Sequence, residues 1–366
     1  FNNKLVNPAF IDQFRSTPKD FTRQRNFSFK SITLFIVSSI NSSIQRELDR
    51  FFKDYNNKKL SERFVTQSAF SQARLKIKPE VFKVLSNECA RFFYDNFNYK
   101  RWNGFRLIAI DGTEVLLPKN KEAIKVYGEF TTNCMRKKVV LCRASKAYDV
   151  LNDITVDAEL VNRKIGERTL AKRHLKYINP NSLILLDRGY PSYDLFMQIL
   201  NNNNQFCARV AVPVWNVAKK LVESGEKEII AEIIPGSELK SKYREKGICP
   251  EPIKARFICI TLKSGDKEVL ITSLLDKHKY PHELFEDLYH LRWTVEESYK
   301  KDKHRLQMEN FSGKSVTAVQ QDFMATMLLG NITSLLSSQV RPNQSLNKRK
   351  YQYKINMTTA FWTSEL

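Results

Sequence analysis

Three acidic residues stand where chemistry could be done. Asp111 closes the apolar run LIAID, Asp187 closes LILLD just before Arg188–Gly189–Tyr190, and Glu296 lies within YHLRWTVEESYKKDK. An acid at the C-terminal end of a buried strand emerges where ligand sites form in open α/β sheets. In the third stretch Tyr289, Arg292, Glu296, Lys300 and Lys303 follow one another at intervals of 3, 4, 4 and 3 residues. On one continuous helix that spacing gathers all five on a single face, with a drift of roughly 20° over two turns. Leu284, Leu288, Leu291 and Val295 form a neighbouring apolar stripe, so the polar line borders the buried side of the helix. Carboxylates converging from three elements raise one another's pKa and need a compensating cation. A hard divalent ion, Mg²⁺ or Mn²⁺, suits such donors. Two of them about 3.5–4 Å apart can activate an attacking oxygen and stabilise a leaving one in an in-line phosphoryl transfer.

Each feature also has a plain reading. Pairs such as Arg292–Glu296 and Glu296–Lys300 are common surface decoration worth a few tenths of a kcal/mol. Asp before Gly is a frequent hairpin signal, which covers Asp111 and, in DRGY, Asp187. Asp149, Asp153 and Asp157 lie nearby on polar positions of strands that read as half exposed, and are expected at the surface.

The elements that must position these residues follow from periodicity. The first hundred residues read as helical, with apolar residues at helical spacing in FSFKSITLFIVSSINSSIQRELDRFF and again after a Thr66/Ser68 start. From about residue 105 the period changes. RLIAIDGTEVLLP reads as a strand, a turn at Asp111–Gly112 and a second strand; KVVLCRASKAYDV and DITVDAEL follow as strands. GERTLAKRHLKYI is a helix, SLILLD a fully apolar buried strand, PSYDLFMQIL a helix opened by Pro191, and QFCARV a strand. That alternation predicts an α/β core. Residues 211–275 read as strand-rich, with KSGD as a hairpin turn, and look like an insertion, since one helix over 281–305 and an apolar helix over 315–338 return to the earlier style.

Composition narrows the partner. The 366 residues are 42% hydrophobic and 27% charged, with 60 Lys and Arg against 39 Asp and Glu, a formal charge of +21. That excess favours a polyanion, nucleic acid before membrane surface, because each neutralised phosphate releases counterions. No run approaches the roughly 20 apolar residues of a membrane span. The six scattered cysteines include no C-x-x-C, and Cys142, Cys207 and Cys259 sit in apolar strands, as reduced core cysteines of a cytoplasmic protein would. The chain begins at Phe1 and ends in a basic stretch, which suits a fragment.

With these residues placed, the sequence resembles the DDE transposases of bacterial insertion sequences, in the insertion-sequence-four group, whose fold is RNase H-like. AIDGTEVLLP resembles the first acidic motif of that family, LLDRGYPSYDLF its second, and LYHLRWTVEESYKKDKHRLQMENFSGKS its third, whose Tyr-Arg-Glu-Lys spacing Tyr289, Arg292, Glu296 and Lys303 satisfy. The resemblance implies an α/β fold: a helical DNA-binding region over 1–100, an RNase H-like core over 101–210 and 276–340, a β-rich insertion over 211–275 and a basic segment over 341–366. It implies that Asp111, Asp187 and Glu296 bind two Mg²⁺ (or Mn²⁺) ions as the catalytic set. Tyr289 and Arg292 would hold the terminal phosphate or a flipped base, and Lys300 and Lys303 the DNA backbone. The reaction implied is metal-dependent cutting of element ends and joining to target DNA, through a hairpin. The partners implied are the terminal inverted repeats and target DNA, bound by a dimer in a synaptic complex, in the bacterial cytoplasm at the nucleoid. Some members carry a tryptophan just ahead of VLITS; here Glu268 stands there, so Trp293 or Trp215 would have to stack on the flipped base. A related nuclease without strand transfer, or a DNA-binding protein that has lost catalysis, are the alternatives. Two weaker signals are set aside. SGKS (312–315) lacks the first glycine of a phosphate-binding loop, and His278 and His282 have no third ligand for zinc.

Overall fold

The computed structural model describes residues 2–339 except 24, 39–41, 59–62, 132–136, 246, 248 and 263–264. The basic segment 341–366 and part of the KSGD turn lie outside the described residues. The chain opens with six helices, α1 (Asn2–Leu5), α2 (Pro8–Phe14), α3 (Phe29–Val37), α4 (Ile44–Tyr55), α5 (Gln67–Arg74) and α6 (Glu80–Asn96). Local chemistry starts several of them: Ser28 caps α3 in a reciprocal bond pair with Ser31, and the Thr66 hydroxyl accepts from the Ala69 N–H at the head of α5. β1 (Arg106–Leu117), α7 (Lys121–Tyr127), β2 (Phe130–Thr131), β3 (Lys138–Asp149), β4 (Ile154–Asn162), α8 (Glu167–His174), β5 (Ser182–Leu186), α9 (Tyr193–Asn201) and β6 (Gln205–Val210) follow. Then come α10 (Asn216–Ser224), β7 (Glu228–Ile233), α11 (Ser237–Glu245), β8 (Ile253–Thr261), β9 (Lys267–Thr272), α12 (Leu284–His290), α13 (Trp293–His304) and α14 (Val316–Gln339).

The strands form one mixed sheet in the order β2-β3-β1-β5-β6-β9-β8-β7, with β4 also on β3. β1, β3 and β4 are antiparallel; β5 and β6 run parallel to β1. This is the α/β class expected, a mixed sheet with a helical N-terminal region. The strands of 211–275 join the same sheet through the antiparallel β6–β9 pair, and α10 and α11 accompany them.

Two expectations fail here. Asp111–Gly112 makes no turn: β1 is one twelve-residue strand, paired with β3 from Ile108↔Asp149 to Leu117↔Val140. An Asp–Gly pair reverses the chain only where the flanking residues gain by pairing with each other. Here both halves gain more by pairing with β3. Asp149, at the end of β3, and Asp157, on β4, are buried, with 0% exposure: Tyr94 of α6 meets the first, and Lys83 of α6 and His174 of α8 meet the second. Asp153 alone of the three is partly exposed, in a left-handed turn conformation (φ 56°).

The Asp149 carboxylate accepts from the Tyr94 hydroxyl, from Leu151 and Asn152 N–H groups and from the Asn152 amide. Burial outweighs these bonds and pushes its pKa up to about 6 from 3.8. The folded state therefore holds this proton more tightly than the unfolded chain does. The resulting stability is complete below about pH 4 and lost as pH rises through 6. Urea midpoints at pH 4.5 and 7 should fall less between the two for Asp149→Asn than for the wild type. Equal falls would show that Asp149 does not titrate in this window.

α14 is apolar on all sides, as a helix buried in the middle of a protein must be. Val319, Phe323 and Met327 face the sheet core, while Ala325, Leu328 and Ile332 join Phe35, Phe70 and Phe82 in the core of the N-terminal helices. Its buried amides are satisfied: Gln321 donates to the Arg74 and Ile77 carbonyls, and Asn331 bridges Thr155 and Ser86. No described helix is long and apolar enough to cross a membrane.

Candidate active site

The parallel pairing of β1 with β5 ends at Ile110↔Leu186, so Asp111 and Asp187 are the next residues on two neighbouring strands. β3 and β4 lie to one side of this pair and β6 to the other. The crevice beyond such a switch in direction is where α/β sheets bind ligands. α13 lies across it. The Tyr299 hydroxyl donates to the Asp111 carbonyl at 2.9 Å, and Lys303 Nζ to the Glu114 carbonyl at 2.7 Å. Glu296, three residues before Tyr299, is thereby carried to the same end of β1.

One guanidinium sits among the three acids. Arg292, 2% exposed, places Nη2 2.8 Å from Glu296 Oε1 and Nη1 3.9 Å from Asp111 Oδ2. The Tyr289 hydroxyl lies 3.4 Å from Asp187 Oδ1. Burial pushes Asp111 up to about 6, with Glu296 and Asp187 adding to the rise; the Gly112 N–H and Arg292 resist it. Asp187 is also partly desolvated, but the Arg188 N–H and the Arg209 and Arg292 guanidiniums hold it below the usual carboxylate value. The acids therefore feel one another through the site, the condition that a cation relieves.

The expected single helix over 281–305 is two. Arg292, Thr294 and Val295 donate to carbonyls three residues back, at 3.0, 3.0 and 3.1 Å, so the chain tightens between α12 and α13. The five polar residues consequently do not share one environment. Tyr289 and Arg292 are buried, Glu296 is half-buried, and Lys300 reaches solvent, where it pairs with Glu297 at 2.6 Å. Leu284 is only partly buried, and Phe285 takes the core position beside it.

The remaining candidates separate clearly. Trp293 is 47% exposed, with the Arg292 guanidinium 4.9 Å over its ring. Trp215 packs on Phe257 in the second core cluster instead. Glu268 pairs with Arg209 at 2.5 Å, and Arg209 holds Asp187 at 2.9 Å. Arg209 was not singled out from the sequence, although it follows the apolar run of QFCARV much as the acids follow theirs. Tyr299 and the buried Lys146–Asp302 pair were missed as well; Lys146 sits directly opposite Asp111 in the β1–β3 register.

Other constellations are structural. Ser145, His174 and Asp157 form a hydrogen-bonded chain of 2.9 and 2.7 Å, the order of a nucleophilic triad. All three are buried, so the chain fastens α8 to the sheet and no substrate reaches the serine. In SGKS, Ser312 bonds Arg74 and Asp322 at the entry to α14, and a Cβ on Gly313 would come within 2.7 Å of Ala318 Cβ. His282 is turned to the Cys259 carbonyl.

Among the described residues no three His, Cys, Asp or Glu side chains form a ready metal cluster. The carboxylates from β1, the end of β5 and α13 are the hard oxygen donors a divalent ion takes, while the buried Arg292 Nε–H, without a hydrogen-bond partner, suits an anionic acceptor such as phosphate.

Residues 102–332 match the family model described as the transposase DDE domain. The chain belongs to this family. It is a family that works with divalent metal ions. The chain is 22% identical over 275 residues to the transposase InsG for insertion sequence element IS4 of Escherichia coli (strain K12), an alignment covering 74% of this chain and 60% of that protein. It thus spans about 60% of the length of the curated relative it matches. Among solved structures, it is similar to a piggyBac transposase synaptic complex with hairpin DNA (TM-score 0.48, 10% identity, 97% of this chain and 74% of that one) and to a Drosophila P element transposase strand transfer complex (TM-score 0.26, 10% identity, 86% and 66%). At these scores neither bears on the chemistry.

Proposed function

We propose that this chain is the DNA transposase of an insertion sequence, cutting element ends and joining them to target DNA by metal-dependent phosphoryl transfer. The observation that carries this reading is the gathering of Asp111, Asp187 and Glu296, from three separate elements, around the buried Arg292 guanidinium at the ends of β1 and β5. Asp111, Asp187 and Glu296 hold two Mg²⁺ ions, with Mn²⁺ as a substitute. When bound, the metal activates the attacking oxygen and neutralises charge on the leaving one. Arg292, a planar fork able to grip phosphate, and Tyr289 hold the terminal phosphate or a neighbouring base. Lys300 and Lys303 hold the backbone beside it.

Water first hydrolyses the phosphodiester at the element end and leaves a 3′-OH. That oxygen then attacks phosphorus on the opposite strand, forming one P–O bond as another breaks, which gives a hairpin. Flipping a base for this step costs a few kcal/mol, which stacking on Trp293, 47% exposed, would offset. The helical region 1–100 contributes DNA contacts, and a dimer pairs the two inverted repeats in a synaptic complex at the nucleoid.

The test uses labelled duplexes carrying the element's own ends, taken from DNA flanking the gene, with Mg²⁺ or EDTA. Nicks followed by hairpins, only with Mg²⁺, are expected. Pre-cut ends incubated with target DNA separate the possibilities: joined product supports transposition. Cleavage with no joining would leave a metal-dependent nuclease, and binding with neither would leave a DNA-binding protein.

A further inference from the structure

At the opposite end of the parallel strands lies a cleft of about 130 Å³, well above the ~15 Å³ that one water requires. α6 supplies one wall with Asn87, Arg91 and Tyr94. Lys176 and Tyr177, just after α8, supply the other, and Arg106 at the start of β1 closes the base. No carboxylate lines it. Arg91 and Lys176 are exposed and form no ion pair among the described residues. Arg106 is fixed by a 2.7 Å bond to the Pro180 carbonyl and lies 5.2 Å over the Tyr94 ring. Those contacts orient the guanidinium but leave its charge unneutralised. The Tyr94 ring is fixed in turn, because its hydroxyl is committed to Asp149.

Three cations line this open space with no carboxylate among the lining residues, and an anion entering it is attracted by all three. We propose that this cleft binds a phosphate of the DNA backbone, as a contact separate from the cutting site. The identity of the polyanion rests on the function proposed above; the anion site itself rests on the cleft. The five strand steps from Arg106 to Asp111 span about 17 Å, so one phosphate cannot serve both ends. The phosphate held here is therefore a different one from the phosphate being attacked.

Binding of a labelled duplex is measured by fluorescence anisotropy across a salt series, for the wild type and for the R91A/K176A double variant. Both side chains are exposed, so the fold should be unaffected. The slope of log K against log salt is expected to become shallower by about 0.9, the contribution of one phosphate no longer neutralised. Lys219→Ala with Lys220→Ala, which removes equal charge from the exposed face of α10, should leave the slope as it was. An unchanged slope in R91A/K176A, or an equal change in both pairs, overturns the cleft as a DNA contact. If inorganic phosphate raises the melting temperature of the wild type but not of R91A/K176A, while the slopes agree, the cleft takes free phosphate and the DNA assignment falls. A wild type that binds no duplex overturns the nucleic-acid reading itself.

Discussion

Replacing Glu296 by glutamine is expected to slow strand cleavage by at least about a thousandfold, some 4 kcal/mol of transition-state stabilisation, while duplex binding stays within about threefold. Glutamine keeps the shape of the side chain and an oxygen that accepts from Arg292 Nη2, so α13 should remain docked. What it removes is a negative charge. Asp111→Asn and Asp187→Asn should behave alike, since the three acids contribute to one charge cluster, and combining two of them should cost little more than either alone. Single-turnover cleavage with Mg²⁺, beside anisotropy for binding, reads both quantities. Cleavage within tenfold of wild type in any one variant would remove that residue from the site. Loss of binding together with cleavage would instead mean that the acids hold the DNA-contacting surface in shape.

The second large effect concerns stability. Lys146 is 1% exposed, with Nζ 2.6 Å from Asp302 and the Tyr148 and Tyr299 rings packed over it at 4.9 and 4.4 Å. Asp302→Ala leaves that ammonium buried and unpaired, which should cost about 3–5 kcal/mol. Burial already draws the Lys146 pKa down, and Asp302 is the chief group opposing it. Without Asp302 the lysine gives up its proton more readily. The folded variant then binds fewer protons than its unfolded chain, so its deficit should be larger at pH 7 than at pH 9.5. Urea unfolding at the two pH values measures this. The compensating pair Lys146→Met with Asp302→Leu should recover most of the loss, because the apolar pair needs no desolvated charge. A deficit under about 1 kcal/mol would show that water reaches Lys146.

Much of the site was legible because it depends on short-range patterns. LIAID and LILLD are apolar runs that each end in an acid, and a buried parallel strand can only deliver such an acid at its end. The Arg292–Glu296 spacing likewise needs only helical geometry. The parts that escaped depend on what lies across the sheet. Arg209 reaches Asp187 because β5 and β6 are neighbours, which no local pattern states. Asp157 looks like an exposed strand residue until α8 brings His174 and α6 brings Lys83 to it. The turn expected at Asp111–Gly112 failed for the same reason, since pairing with β3 decides it. The tightening at Leu291–Arg292 was invisible because both residues keep helical torsions (φ −60° and −55°) and only the bond pattern shifts.

α14 closes the helical start of the chain against its far end, and that has a temporal side. On the ribosome, at about 5–20 residues per second, Asp111 and Asp187 emerge well before Glu296, which follows Asp111 by on the order of ten to forty seconds. Throughout that interval the helical core that holds Phe35, Phe70 and Phe82 still lacks Ala325, Leu328 and Ile332, which have not yet been made. Neither the nascent core nor the third acid is in place until nearly the whole described chain has been synthesised. A half-made copy therefore lacks both one of the three candidate acids and part of its helical core.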